Sequence, residues 1–160
     1  MTLPVLALRD CSAGYGGVEV LRSVQLELQP DEILAIVGMS GVGKTTLLHV
    51  LAGLLPATSG DVLFRGQPLG RGDPSIGVVF QDHSLFPWMT IAGNVELGLR
   101  IRGVPASERR RSTRRILTEV GIEECADSYP RDVSGGQRQR AALARTFVLD
   151  PSVVLLDEPF

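Results

Sequence analysis

The sequence predicts an α/β fold organised around one strand–loop–helix unit. Three observations predict it. The apolar run Ile33-Leu34-Ala35-Ile36-Val37 reads as a buried parallel strand. The octapeptide Gly38-Met39-Ser40-Gly41-Val42-Gly43-Lys44-Thr45 fits the pattern G-x-x-x-x-G-K-[ST] of a phosphate-binding loop. Leu47, Leu48, Leu51, Leu54 and Leu55 then follow at helical spacing and predict a helix from Thr46 to Leu55.

The remaining elements follow in chain order. Residues 3–10 and 18–28 alternate apolar and polar, as in Val24-Gln25-Leu26-Glu27-Leu28, and predict half-exposed antiparallel strands flanking the phosphate-loop strand. Val62-Leu63-Phe64 and Ile76-Gly77-Val78-Val79-Phe80 predict short strands separated by Gly- and Pro-rich turns at 65–75. Residues 87–132 turn helical: Ile91, Val95 and Leu99 space one helix, and Ser107 to Val120 forms a second with Ile116, Leu117 and Val120 on its apolar side. Gln137 to Leu149 is predicted as a further helix, opened by Ser134-Gly135-Gly136. Val153-Val154-Leu155-Leu156 is predicted as an apolar strand ending at Asp157-Glu158. No internal repeat or low-complexity linker interrupts this order.

Length and composition narrow the class. A chain of 160 residues suits one domain, and 44% apolar with 21% charged residues is ordinary for a soluble protein. No apolar run approaches the ~20 residues of a membrane span, and residues 1–10 lack the pattern of a signal peptide. A net charge of −2 gives no basic footprint for nucleic acid. Cys11 and Cys125 share no metal or redox spacing and read as buried thiols of a reducing compartment. Arg109, Arg110, Arg111, Arg114 and Arg115 spread over more than half a helix circumference among Glu108 and Glu119, as on a solvated face.

Lys44 is the only lysine among sixteen Lys and Arg residues, and it closes the glycine-rich loop. An ammonium is a compact point charge that reaches phosphate where a planar guanidinium is too wide. The loop glycines let backbone N–H groups form an anion nest, the following helix adds its N-terminal donors, and the Thr45 hydroxyl suits a magnesium ion. Asp157 ends an apolar strand, where a carboxylate can hold magnesium through water; Glu158 points elsewhere and can polarise an attacking water. Gln81 ends another strand, and its amide can serve metal and water together, although a strand-end turn residue is an equal reading. Ser134-Gly135-Gly136-Gln137 opens a helix as a second anion-binding terminus, which suggests a site completed between two copies of the chain. A simple Ser N-cap before a glycine turn accounts for it equally well.

Taken together, these motifs resemble the ATP-binding subunit of ABC transporters over essentially all 160 residues. Gly38–Thr45, with Thr46 beyond it, is similar to the Walker A loop. Gln81 is similar to the Q-loop glutamine, 133–140 to the signature, and 153–159 to Walker B with its catalytic glutamate. The resemblance implies a P-loop NTPase (ABC ATPase) core with an antiparallel β flank and a helical subdomain at 87–132, within a single nucleotide-binding domain spanning 1–160. It implies ATP and Mg2+ as ligands, with Tyr15, 29 residues before Lys44, stacking on adenine. It further implies a head-to-tail dimer in which Ser134 and Gly136 of one copy meet the γ-phosphate held by Lys44 of the other. A transmembrane permease, and indirectly a solute-binding protein, are the implied partners, at the cytoplasmic face of the membrane. Leu85-Phe86-Pro87-Trp88-Met89-Thr90-Ile91, Tyr15-Gly16-Gly17 and Glu158-Pro159-Phe160 resemble importers of the nitrate, sulfonate and taurine group.

The sequence given stops two residues after Glu158, whereas the family continues with a D-loop and a strand ending in a switch histidine. Neither His49 nor His83 follows Walker B; His49 reads as a packing or surface residue and His83 as exposed. Without the C-terminal strands, the strands at 33–37 and 153–156 are expected to lack a ladder partner. The alternative to an ATPase is therefore a truncated nucleotide-binding fragment without activity.

Overall fold

A computed structural model describes residues 3–158, and the chain divides into two compact units, one up to Ile76 and one from Gly77 onward. In the first unit, β1 (Leu6–Tyr15) and β2 (Val18–Leu28) pair antiparallel, as the alternation predicts. β1 runs on to Tyr15 instead of stopping near residue 10. Asp10 and Ser23 take left-handed φ of 45° and 44°, where the β1–β2 register shifts, so bulges carry the strands past the point where simple alternation breaks. β3 (Ser59–Phe64) pairs with the other edge of β1, and β4 (Gln67–Pro68) closes a hairpin, giving the order β2-β1-β3-β4.

α1 (Lys44–Leu51) lies against β1 and β2 and buries Thr46, Leu47, Val50 and Leu51. It starts two residues earlier than the leucine spacing predicts and ends four residues earlier. Gly53 at φ 67° stops it: Leu54 N donates to His49 O and Gly53 N to Val50 O, the paired bonds of a Schellman turn.

One predicted element is absent. Ile33–Val37 forms no strand and is exposed throughout, with Ile33 at 96% and Val37 at 93%. An apolar run becomes a strand only when neighbouring backbone takes up its N–H and C=O groups, and none of the described residues does so.

In the second unit, β5 (Ile76–Val79) and β6 (Val153–Leu156) form a two-stranded sheet, so the strand at 153–156 does have a neighbour. α2 (Ile91–Ile101), α3 (Ala106–Glu119) and α4 (Gly135–Phe147) match the three predicted helices to within a turn. Ile91, Val95, Ile116, Leu117, Ile122, Cys125, Val133, Ala141 and Ala144 form their shared core. Thr146 ties α4 to β5 by donating to Val78 O at 3.2 Å. Arg110, Arg111, Arg114 and Arg115 of α3 are exposed as expected, Arg115 pairing with Glu119 and Arg114 with Glu123, whereas Arg109 departs from a solvated face: it is half-buried and pairs with Glu96 of α2 at 2.6 Å. Both cysteines are buried, and burial pushes both thiols up from their ordinary value.

Candidate functional site

The residues expected to bind phosphate, 38–45, all lie within the first unit. Gly38 and Ser40 lie in the exposed segment before α1, and Val42 is 60% exposed. Gly41 has φ 79°, and Gly43, the N-cap of α1, has φ 107°, both in the left-handed region that favours glycine. A Cβ on Gly43 would also meet Val20 Cγ1 at 3.1 Å. No side chain caps α1, whose first turn therefore begins without the hydrogen bond that a Ser or Asp cap would supply. Lys44 Nζ donates to Gly38 O and Met39 O, each at 3.0 Å. Both acceptors are neutral carbonyls, which leaves the ammonium's charge uncompensated by them. Thr45 is exposed at the start of α1, whereas Thr46 is buried.

Tyr15 ends β1 and is about half exposed. It precedes Gly16 and Gly17, whose φ of 56° and 82° make the two-residue turn into β2. Its hydroxyl lies 3.2 Å from His49 Nδ1 on α1.

A second group of predicted site residues gathers in the second unit. β5 and β6 are neighbours, and Asp157 N extends their contact by donating to Val79 O at 3.0 Å. The sheet thereby brings the strand ends together, and Gln81 Nε2 donates to Glu158 Oε2 at 2.6 Å. Asp157 is half-buried, while Gln81 and Glu158 are exposed. Pro159 and Phe160 lie outside the described residues.

Ser134 begins α4 with a complete capping box. Its Oγ accepts from Gln137 N at 3.2 Å, and its own N–H donates to Gln137 Oε1 at 2.8 Å. The Ser N-cap reading is therefore realised, and the exposed Gly135 and Gly136 still bring backbone N–H groups to the surface.

Two supporting residues escape sequence reasoning. Asn94 is fully buried; its Nδ2 donates to Phe86 O, Met89 O and Thr90 O, and its Oδ1 accepts from Phe86 N at 2.7 Å, which fixes the loop ahead of α2. Arg145 of α4 donates to Ser84 O at 2.6 Å and His83 O at 3.0 Å, clasping the turn after Gln81. His83 is half-buried in that turn, not exposed as the sequence suggests, because this clasp draws the turn onto α4. Burial lowers the Arg145 guanidinium from its ordinary value, with Asp82 opposing the shift.

The donor set fits the anionic oxygens of a polyphosphate. An uncapped helix start, two left-handed glycines and an ammonium held by carbonyls alone make a cradle for anionic oxygens. Among the described residues, no group of three or more His, Cys, Asp or Glu could hold a metal. A magnesium held through a hydroxyl, waters and phosphate oxygens needs no such group.

Comparison with known proteins follows the same line. The sequence profile of the ABC transporter family matches residues 21–160. The nitrate import ATP-binding protein NrtD of Synechocystis is 42% identical over 145 residues, covering 91% of this chain and 54% of that protein. The taurine import ATP-binding protein TauB of Pseudomonas putida is 41% identical over 160 residues, covering 99% of this chain and 61% of that protein. Among solved structures, cbiO1 of Clostridium perfringens, part of the ABC transporter complex cbiONQ, superimposes with a TM-score of 0.84 at 32% identity. That match covers 97% of this chain and 65% of the other. The chain thus spans somewhat over half the length of the curated relatives it matches. No helix among the described residues is long and apolar enough to cross a membrane.

Proposed function

The chain belongs to the ABC transporter family, with the ABC ATPase fold, and from that premise we propose that it is the subunit that binds and hydrolyses MgATP to drive import of a small anion such as nitrate, a sulfonate or taurine. The observation that carries this reading is Lys44, held over the uncapped start of α1 by two neutral carbonyls. Lys44 exchanges Gly38 O and Met39 O for phosphate oxygens, which offer the same ammonium stronger, charge-assisted bonds. The N–H groups following Gly41 and Gly43 line the phosphates, and the Tyr15 ring stacks on the base. Thr45, Gln81 and Asp157 are the residues that would hold magnesium, whose role when bound is to neutralise charge on the phosphate oxygens.

Glu158 orients and polarises the attacking water, and Gln81 supports that water through its amide. In the structure Gln81 donates to Glu158, so this bond must open for Glu158 to accept a water proton. The single nucleotide-binding domain, with 87–132 as its helical part, remains our assignment. So does a head-to-tail pair of subunits in which Ser134, Gly135, Gly136 and Gln137 of one copy complete the site of the other. A permease at the cytoplasmic membrane face is the proposed partner, with a solute-binding protein acting indirectly. The nitrate and taurine relatives differ by one percentage point of identity, 42% against 41%, which favours neither solute over the other.

A second reading, nucleotide binding without turnover, is favoured by the same Gln81–Glu158 bond, which ties the proposed base to an amide. Phosphate release by the protein and by a Glu158→Gln variant separates the two. The ATPase reading expects about a hundredfold or greater loss in the variant, within the range for a positioned base. Equal release from both would leave only nucleotide binding.

A further inference from the structure

We propose that His49 is a positioning residue that holds the Tyr15 ring in place to stack on the nucleotide base. This inference rests on the reading of Tyr15 as the base-stacking aromatic. Tyr15 stands at the tip of the β1–β2 hairpin, next to two consecutive glycines and about half exposed, so packing alone leaves its ring free to swing. The hydroxyl is joined to His49 Nδ1 at 3.2 Å. Either tautomer makes this bond, with Nδ1 accepting from the phenol or donating to its oxygen.

His49 is a firm anchor. It lies on α1 between the buried Leu47 and Val50, and its carbonyl accepts from both Leu54 N at 2.9 Å and Leu55 N at 3.0 Å. It also follows Lys44 by five residues, about 7–8 Å along the helix axis. One short helix thus carries the phosphate-binding ammonium at its start and the tether of the aromatic near its end. The tether sets the distance between the two ends of a nucleotide site before any ligand arrives, which lowers the ordering cost of binding. Nothing in the local sequence marks His49 for this role, since Tyr15 and His49 are 34 positions apart.

The test is a calorimetric comparison of ATP and inorganic tripolyphosphate, the second lacking a base, across variants of the two residues. Tyr15→Phe keeps the ring and removes the hydroxyl, and His49→Ala removes the anchor. Each is expected to weaken ATP binding about three- to fivefold, the size of one neutral hydrogen bond. The double variant should be no weaker than either single one, because both remove the same bond. His49→Gln should recover most of the loss, and tripolyphosphate affinity should not move in any of these variants. Multiplying losses in the double variant would overturn the proposal, as would an equal loss of tripolyphosphate affinity in His49→Ala. Tyr15→Ala separates the two levels of inference. If it leaves ATP affinity unchanged, the base-stacking reading itself fails. If it weakens ATP while His49→Ala does not, only the role of His49 fails.

Discussion

α1 and α4 both open on glycines, yet their first turns are closed in opposite ways. α1 starts after Gly43, with φ 107° and no side chain to cap it. α4 starts after Ser134, whose capping box with Gln137 satisfies one donor at the helix start and one at the cap itself. Both helices carry the same dipole, about half a positive charge at the start. The difference is therefore in how many N–H donors remain open, and in whether a cation stands beside them. α1 has Lys44 at its first position, bound to carbonyls of its own loop. α4 has no lysine, and its nearest basic residue, Arg138, donates to Val133 O and Pro130 O. A single chain thus has one helix start with a cation at its first position and no side-chain cap, and one whose capping box already occupies one of its donors.

The strongest way to break this contrast is to remove the cation. Lys44→Ala is expected to lower ATP affinity by about a hundredfold or more, since charge-assisted bonds are worth about 1.5–3 kcal/mol each. Unchanged affinity in a binding titration would place the phosphates somewhere other than α1. Gly43→Ala attacks the loop geometry instead. A non-glycine residue held left-handed costs about 1–2 kcal/mol, and the new methyl would press on Val20 Cγ1 at 3.1 Å. The expected result is roughly tenfold weaker ATP binding together with a lower melting temperature. Normal binding with normal stability would mean that the loop tolerates a Cβ. Ser134→Ala sharpens the other side of the comparison and has the smallest effect. It should cost about 1 kcal/mol of stability by removing a cap, visible in denaturant unfolding, and leave ATP affinity of the single chain untouched. A clear loss of affinity in the monomer would show that α4 takes part in binding without a second copy.

How much of this was legible in the sequence depends on how local each signal is. The left-handed turn at Gly41 and Gly43 was legible because glycine supplies that conformation locally, within an eight-residue pattern. The Schellman stop at Gly53 was equally local, and the leucine spacing alone overran it by four residues because Leu54 and Leu55 continue the apolar pattern outside the helix. The Ser134–Gln137 capping box follows the S-x-x-Q spacing and was readable in advance as a cap. The run Ile33–Val37 misled for the opposite reason. Its residues suit a buried strand, but strand formation depends on a partner supplied from elsewhere, and composition carries no record of that. Asn94, Arg145 and the Tyr15–His49 bond were illegible on similar grounds. Each depends on backbone carbonyls or a side chain that folding alone brings near, and a buried asparagine on an apolar helix face looks like a surface residue until its four bonds are seen.

On the proposed function, phosphate binds at the start of α1, which no side chain caps, and not at the capped start of α4. Titrating the isotopically labelled single chain with tripolyphosphate and following its backbone amide resonances tests this residue by residue. The amides of Gly41 to Thr46 are expected to shift first and furthest, while those of Gly135, Gly136 and Gln137 stay in place. Shifts that begin at Gly135–Gln137 while Gly43 and Lys44 remain still would contradict the proposed function.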